Sequence, residues 1–135
     1  MEISIVSVIV GTIVYVGLGA LWYSPILFGK QWAKLSGVTE EDATDSTKAM
    51  IVSGLGALLA VIALNMLVYV ARPQTWAAAL VYGLLLGVPV IATGLNKVVY
   101  GKDSDSKDRA RLTVIDFSYP FVGIILAVVI AFYLG

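Results

Sequence analysis

Residues 49–71 read AMIVSGLGALLAVIALNMLVYVA, residues 72–75 read RPQT, and residues 76–95 read WAAALVYGLLLGVPVIATGL. Arg72 is the single charge between Ala49 and Leu95. About 20 mostly apolar residues suffice for a helix to cross a hydrocarbon core. The interruption is long enough only for a tight turn, so the stretch reads as two membrane-spanning helices that are antiparallel neighbours. Working outward, Ile3 to Trp22 and Leu112 to Leu134 have the same character. The first of these reads as a retained span. Its only early charge is Glu2, and it runs into Trp22, Tyr23, Ser24 and Pro25 instead of a small-residue cleavage site. The expected fold is therefore all-α, an integral membrane four-helix bundle in one transmembrane domain over residues 1–135. Its spans fall at about 3–22, 49–71, 76–95 and 112–134.

Composition agrees. The chain has 135 residues, 59% hydrophobic and 13% charged, with a mean hydropathy of +0.92. A soluble domain carries about 25% charged residues, and a chain this short has too little interior to hide so much apolar surface from water. Zero net charge argues against the basic stripe that nucleic acid demands. With no Cys and no His, thiolate and imidazole metal sites, haem ligation, disulfides and a Ser-His-Asp triad are excluded. No cofactor, no metal and no enzyme activity are expected.

Eight of the nine basic residues lie in the first and third loops or at their borders: Lys30, Lys34, Lys48, Lys97, Lys102, Lys107, Arg109 and Arg111. Only Arg72 lies in the second. The positive-inside rule then puts loops one and three in the cytoplasm and both termini outside, in a cell membrane. Within loop one, Phe28, Trp32 and Leu35 recur at helical spacing opposite Lys30, Gln31 and Lys34, and Gly37 follows as a stop. This reads as a short amphipathic helix over Pro25 to Ser36, lying in the headgroup layer. Trp22, Phe28 and Trp32 are its interfacial anchors. Thr39 and Asp42 have the spacing of a capping box, so the second long helix is expected to begin near Glu40.

At 100° per residue, Ser4, Ser7, Gly11, Tyr15 and Trp22 share one stripe of the first span. Asp116, Tyr119, Pro120, Gly123 and Ala127 share one stripe of the last. The third span has two stripes, one of Tyr82, Pro89, Thr93, Asn96, Lys97 and Tyr100, the other of Gly83, Gly87 and Gly94. Small residues let helices approach in lipid, so Gly11, Gly83, Gly87 and Gly123 are read as packing positions. These faces exceed the needs of one four-helix core, which points to a homo-oligomer, most simply a dimer. The competing reading of the stripes is a crevice for water or ligand. Asn65 in the second span needs an interhelical hydrogen bond.

Asp116 is the only carboxylate in an apolar span, and an ionised group at the bilayer centre costs about 2.5–3.5 kcal/mol on insertion scales. Two readings stand: a buried acid with a polar partner among Tyr15, Tyr23, Asn96 and Lys97, or an acid at headgroup depth. Lys97 either snorkels to the interface or pairs with Asp116. The candidate polar site is Tyr23, Asn96, Lys97, Asp116 and Tyr119.

The run from Gly19 through Trp22, Tyr23, Ser24, Pro25, Phe28, Gly29 and Lys30 to Trp32 resembles the signature of a family of small bacterial, archaeal and fungal membrane proteins. That family is catalogued as domain of unknown function seventeen sixty-one. Leu35 to Glu41, and Ile115, Asp116, Tyr119 and Gly123, resemble its pattern further on. The resemblance implies a multi-pass membrane location and four helices, and it implies no activity. Two functions fit the residues. One is a small transporter or channel working as an oligomer, with its polar site at the cytoplasmic end. The other is a non-transport lipid-binding, assembly or regulatory subunit whose partners are membrane lipids. The chain lacks the acidic residue in mid-helix one on which small multidrug transporters depend.

The orientation is checked by cysteine-accessibility labelling at positions 2 and 135. Both positions are expected to label from outside; labelling only after the inner face is opened reverses the topology.

Overall fold

The computed structural model describes residues 3–38, 46–101 and 105–135. Five helices make up the described residues, with no strand among them: α1 Ile5–Trp22, α2 Gly29–Ser36, α3 Ser46–Ala71, α4 Trp76–Tyr100 and α5 Ser106–Leu134. All but α2 are long and apolar enough to cross a membrane. Large apolar side chains such as Ile5, Met50, Leu59, Val70, Leu85 and Val99 stand exposed on the outer faces, as a lipid-solvated bundle requires.

Local chemistry sets the boundaries. Ser4 caps α1 by accepting from the Ser7 N–H, and Thr75 caps α4 by accepting from the Ala78 N–H at 3.2 Å. Between α3 and α4 the chain reverses at Arg72, whose φ of 45° is in the left-handed region. There the Gln74 side-chain amide donates to the Arg72 carbonyl, and Pro73 is buried. Gly37, at φ 71°, ends α2 as its spacing suggests. The amphipathic helix is shorter than expected. Ser24 to Phe28 form turns, because the Ser24 carbonyl accepts from the Leu27 and Gly29 N–H groups, and α2 begins only at Gly29. At Gly29 a Cβ would run into the backbone of Tyr23 and Ser24, so the tight turn requires glycine. The last two spans are longer than the hydropathy pattern alone suggests. α4 continues to Tyr100, and α5 begins at Ser106 behind Asp105. The expected start near Glu40 and its capping box lie outside the described residues.

One helix organises the packing. α5 contacts α1, α2, α3 and α4, and α1 also packs on α3. Close approaches fix the register. Gly123 of α5 faces Tyr15 of α1, and a Cβ there would stand 2.6 Å from the Tyr15 ring. Gly11 of α1 meets Val61 of α3, Gly83 of α4 meets Ile125, and Gly87 of α4 lies against the Phe121 ring. The pairings run in opposite directions along each helix pair, so α1 is antiparallel to both α3 and α5, and α4 is antiparallel to α5.

One expectation changes. α3 and α4 follow each other through a short turn yet make no extended contact; α5 is the helix on which both pack. The glycines at 11, 83, 87 and 123 are filled by neighbours within the chain. Beneath them lies a core of Val61, Leu64, Val68, Ala79, Ala127, Val128 and Ala131. Among the described residues, its buried polar pair is the Ser7 hydroxyl donating to the Asn65 side-chain carbonyl at 2.6 Å, while the Asn65 amide donates to the Val61 carbonyl. Asn65 thus has the interhelical partner that its burial demands.

Overpacking a tight core costs about 1–3 kcal/mol. Gly123→Val is therefore expected to lower the thermal midpoint in detergent, whereas Gly54→Ala, in open space, leaves it unchanged or slightly raises it. Equal effects from both would contradict this packing.

Candidate functional site

The loop-one end of the bundle is built on an aromatic run that folds back over α5. α1 delivers Trp22 and Tyr23 at its last turn, the turn through Pro25 reverses the chain, and α2 brings Trp32 alongside. The Trp22 indole N–H donates to the Ile115 carbonyl at 3.0 Å. The Tyr23 hydroxyl and the Trp32 indole N–H both donate to Asp116 Oδ1, at 3.1 and 2.9 Å. These bonds converge within one turn of Pro120, which lacks an N–H and leaves the preceding turn of α5 short of a donor.

Rings close around the carboxylate. Tyr23 stands edge-on to Trp32 at 5.5 Å and to Tyr119 at 5.8 Å, and Tyr119 stands edge-on to Tyr15 at 5.4 Å. The Tyr119 hydroxyl donates to the Tyr15 carbonyl at 3.3 Å. Phe28 packs on Trp22 with ring centroids 5.0 Å apart. Burial first, and then the Asp116 charge beside it, hold the Tyr23 phenol above its usual range. It therefore stays protonated and acts as a donor to the carboxylate.

The five residues of the candidate polar site divide between two faces. Tyr23, Asp116 and Tyr119 come together beside α1. Asn96 and Lys97 lie exposed on the far side of α4, with Thr93 and Tyr100. Of the two stripes on α4, the glycines Gly83, Gly87 and Gly94 face the bundle, and the polar stripe faces outward. Lys97 and Asp116 line a common open groove with Thr93, Phe117 and the two prolines Pro89 and Pro120, but they form no ion pair there. The Lys97 ammonium sits over the Phe117 ring at 5.4 Å from its centroid, an attractive placement that needs no carboxylate. The Asp116 partners are neutral donors instead.

Trp32 is also a donor to Asp116, a role that its place in the amphipathic pattern does not reveal. The usable signal was its indole N–H, which in a half-buried setting needs an acceptor. Phe28 and Trp32 are both half-buried against the bundle base. No group of three or more His, Cys, Asp or Glu side chains suited to a metal occurs among the described residues. Chemically, the arrangement is a carboxylate oxygen that accepts two hydrogen bonds from neutral aromatic donors, with Lys97 in the groove that Asp116 borders.

No curated protein and no solved structure shows significant similarity to the chain. A family model matches residues 6–132, a stretch that contains the whole aromatic run, the Asp116 cage and the α4–α5 grooves. The chain belongs to the family described as Protein of unknown function (DUF1761).

Proposed function

We propose that the chain is a non-catalytic, non-transport subunit of the cell membrane that engages lipids at its cytoplasmic end, with both termini outside and α2 lying in the headgroup layer. The observation that carries this reading is the use made of Asp116: its carboxylate holds Tyr23 and Trp32, and so docks α2 to the bundle. A transport mechanism would want that acid facing a water-filled path. Support also comes from the core, where Val61, Val68 and Val128 are fully buried between the helices.

The transport reading keeps one specific support, the two open grooves on the α4–α5 face, which an assembly of copies would have to close into a pathway. A dimer in either reading would use faces other than the filled glycine stripes. Gly17 of α1 and Gly54 and Gly56 of α3 stand in open space.

Asp116→Asn separates the readings. The amide still accepts a hydrogen bond but loses the charge, and hydrogen bonds to charged groups are worth about 1.5–3 kcal/mol against about 1 for neutral ones. The docking role predicts a lower thermal midpoint by on the order of 1–3 kcal/mol, with no substrate-dependent flux in proteoliposomes of the parent chain. Flux by the parent chain that Asp116→Asn abolishes, with stability retained, would establish transport instead.

A further inference from the structure

Among the described helices, α4 packs extensively on α5 alone, through the glycine face of Gly83, Gly87 and Gly94. Its opposite face exposes Pro89, Thr93, Asn96, Lys97 and Tyr100 on a helix long and apolar enough to cross a membrane. The Thr93 hydroxyl is satisfied within the helix, where it donates to the Pro89 carbonyl at 2.8 Å. Among the described residues, neither the Asn96 amide nor the Lys97 ammonium has a hydrogen-bond or ion-pair partner.

Beside this face an open groove of 390 Å³ runs between α4 and α5, bordered by Pro89, Thr93, Lys97, Asp116, Phe117 and Pro120. It holds one charge of each sign. Asp116 uses Oδ1 for both Tyr23 and Trp32, and its Oδ2 accepts no bond from the described residues. The Lys97 ammonium rests over the Phe117 ring, 5.4 Å from its centroid, and makes no ion pair with the Asp116 of its own chain. Ionised groups in a span pair with one another or with other polar groups as a rule, so this groove presents two unmet demands of opposite sign.

The depth of the two charges decides what meets both. Lys97 leaves α4 three residues beyond Gly94, about 4.5 Å nearer the loop-three end, and Gly94 lies against Phe117 and Thr113. Its side chain nevertheless turns back toward the centre of the span, because the ammonium sits over Phe117. Asp116 is the residue before Phe117, so the two charges stand at similar depth. A two-fold axis along the membrane normal leaves depth unchanged. It therefore carries each Lys97 toward the Asp116 of a second copy, and one self-complementary contact gives two ion pairs. The Asn96 amide, which both donates and accepts, complements itself across the same axis. A counter-ion or an anionic lipid answers one of the two charges; a second copy answers both. The fit is ridge into groove, with the exposed face of one α4 lying in the α4–α5 groove of the other copy.

We propose that two copies of the chain pair through the α4–α5 face about an axis along the membrane normal, with Lys97 of each copy bound to the partner's Asp116. Each carboxylate then has two tasks: Oδ1 holds α2 against its own bundle, and Oδ2 holds the neighbouring copy. The dimer goes beyond the lipid-engaging reading and does not depend on it.

The chain has no cysteine, so single cysteines introduced into the full chain report the contact. In phosphatidylcholine vesicles, which supply no anionic lipid, Asn96→Cys is expected to give disulfide-linked dimers on mild oxidation. Gly54→Cys, in open space on α3, is expected to give none. Association is then measured by energy transfer between chains labelled through Gly135→Cys as the vesicles are diluted with lipid. Lys97→Met is expected to weaken it about tenfold, because the change removes both symmetry-related pairs, whereas Lys97→Arg preserves it. Asp116→Asn should weaken it by a similar factor, and the double variant no further than either single change. Lys34→Gln on α2 should leave it unchanged. Thermal midpoints confirm folding; if Asp116→Asn loosens the aromatic cage, the two Lys97 variants still decide. Monomers at every lipid ratio, a Lys97→Met variant that associates like the parent chain, or additive losses in the double variant overturn the proposal. So does cross-linking through Gly54→Cys without any through Asn96→Cys. Monomers that retain a phospholipid in native mass spectrometry, and release it in Lys97→Met, overturn it in favour of a lipid in the groove.

Discussion

A carboxylate in the apolar length of α5 has to find donors within the protein, and the loop-one end is arranged around meeting that demand. The donors are neutral, a phenol at the end of α1 and an indole in α2. Because Tyr23 ends α1 and Trp32 lies in α2, meeting the demand also fixes where the reversed chain goes. The turn through Pro25, the glycine at 29 and the stop at Gly37 then have one geometry to serve: they set α2 against the first half of α5.

The same helix carries the other packing relations. With little hydrophobic driving force between helices in lipid, association depends on close approach and on polar pairs. α5 supplies Gly123 to Tyr15, accepts Gly83 and Gly87 of α4 against Ile125 and Phe121, and buries Ala127, Val128 and Ala131 in the core. The Ser7–Asn65 bond ties α1 to α3 away from this axis. A bundle built this way has one hub and three long helices around it, which is why α3 and α4 can be joined by a tight turn without packing on each other.

Much of this was legible in the sequence. Residues 49–95 determine two spans through length and absence of charge, and the periodicity of Ser7, Gly11 and Tyr15 marks the face that α1 buries. Tyr23 was among the partners expected for Asp116, and Asn65 was expected to bond across helices. Helix adjacency was not legible, because connectivity constrains direction and distance at the turn but not which faces meet. The glycines at 11, 83, 87 and 123 each lie against a bulky side chain of another helix. A stripe shows that something comes close, and the bulky residue that fills it, such as Phe121 or Tyr15, belongs to a different helix with no sequence tie to it. The Lys97–Asp116 pair failed for a related reason. Proximity through one loop says nothing about azimuth, and the α4 glycines had already claimed the inward face, turning Lys97 outward.

That outward turn has a consequence for how the two faces of α5 relate. On one side Asp116 is held by donors from α1 and α2; on the other, the turn from Asp116 to Pro120 borders the groove where Lys97 lies over Phe117. Pro120 weakens the local hydrogen-bond ladder of the helix, so this turn depends on side chains more than an ordinary helical turn does. The Trp22 indole on the Ile115 carbonyl and the two bonds to Asp116 supply that support from one side only. Three bonds of this kind, with a charged acceptor in two, are worth several kcal/mol by typical magnitudes. Movement of α2 away from the bundle would therefore act directly on the wall of the α4–α5 groove. The aromatic run and the groove are two faces of one helical turn, and the carboxylate between them is the element they share.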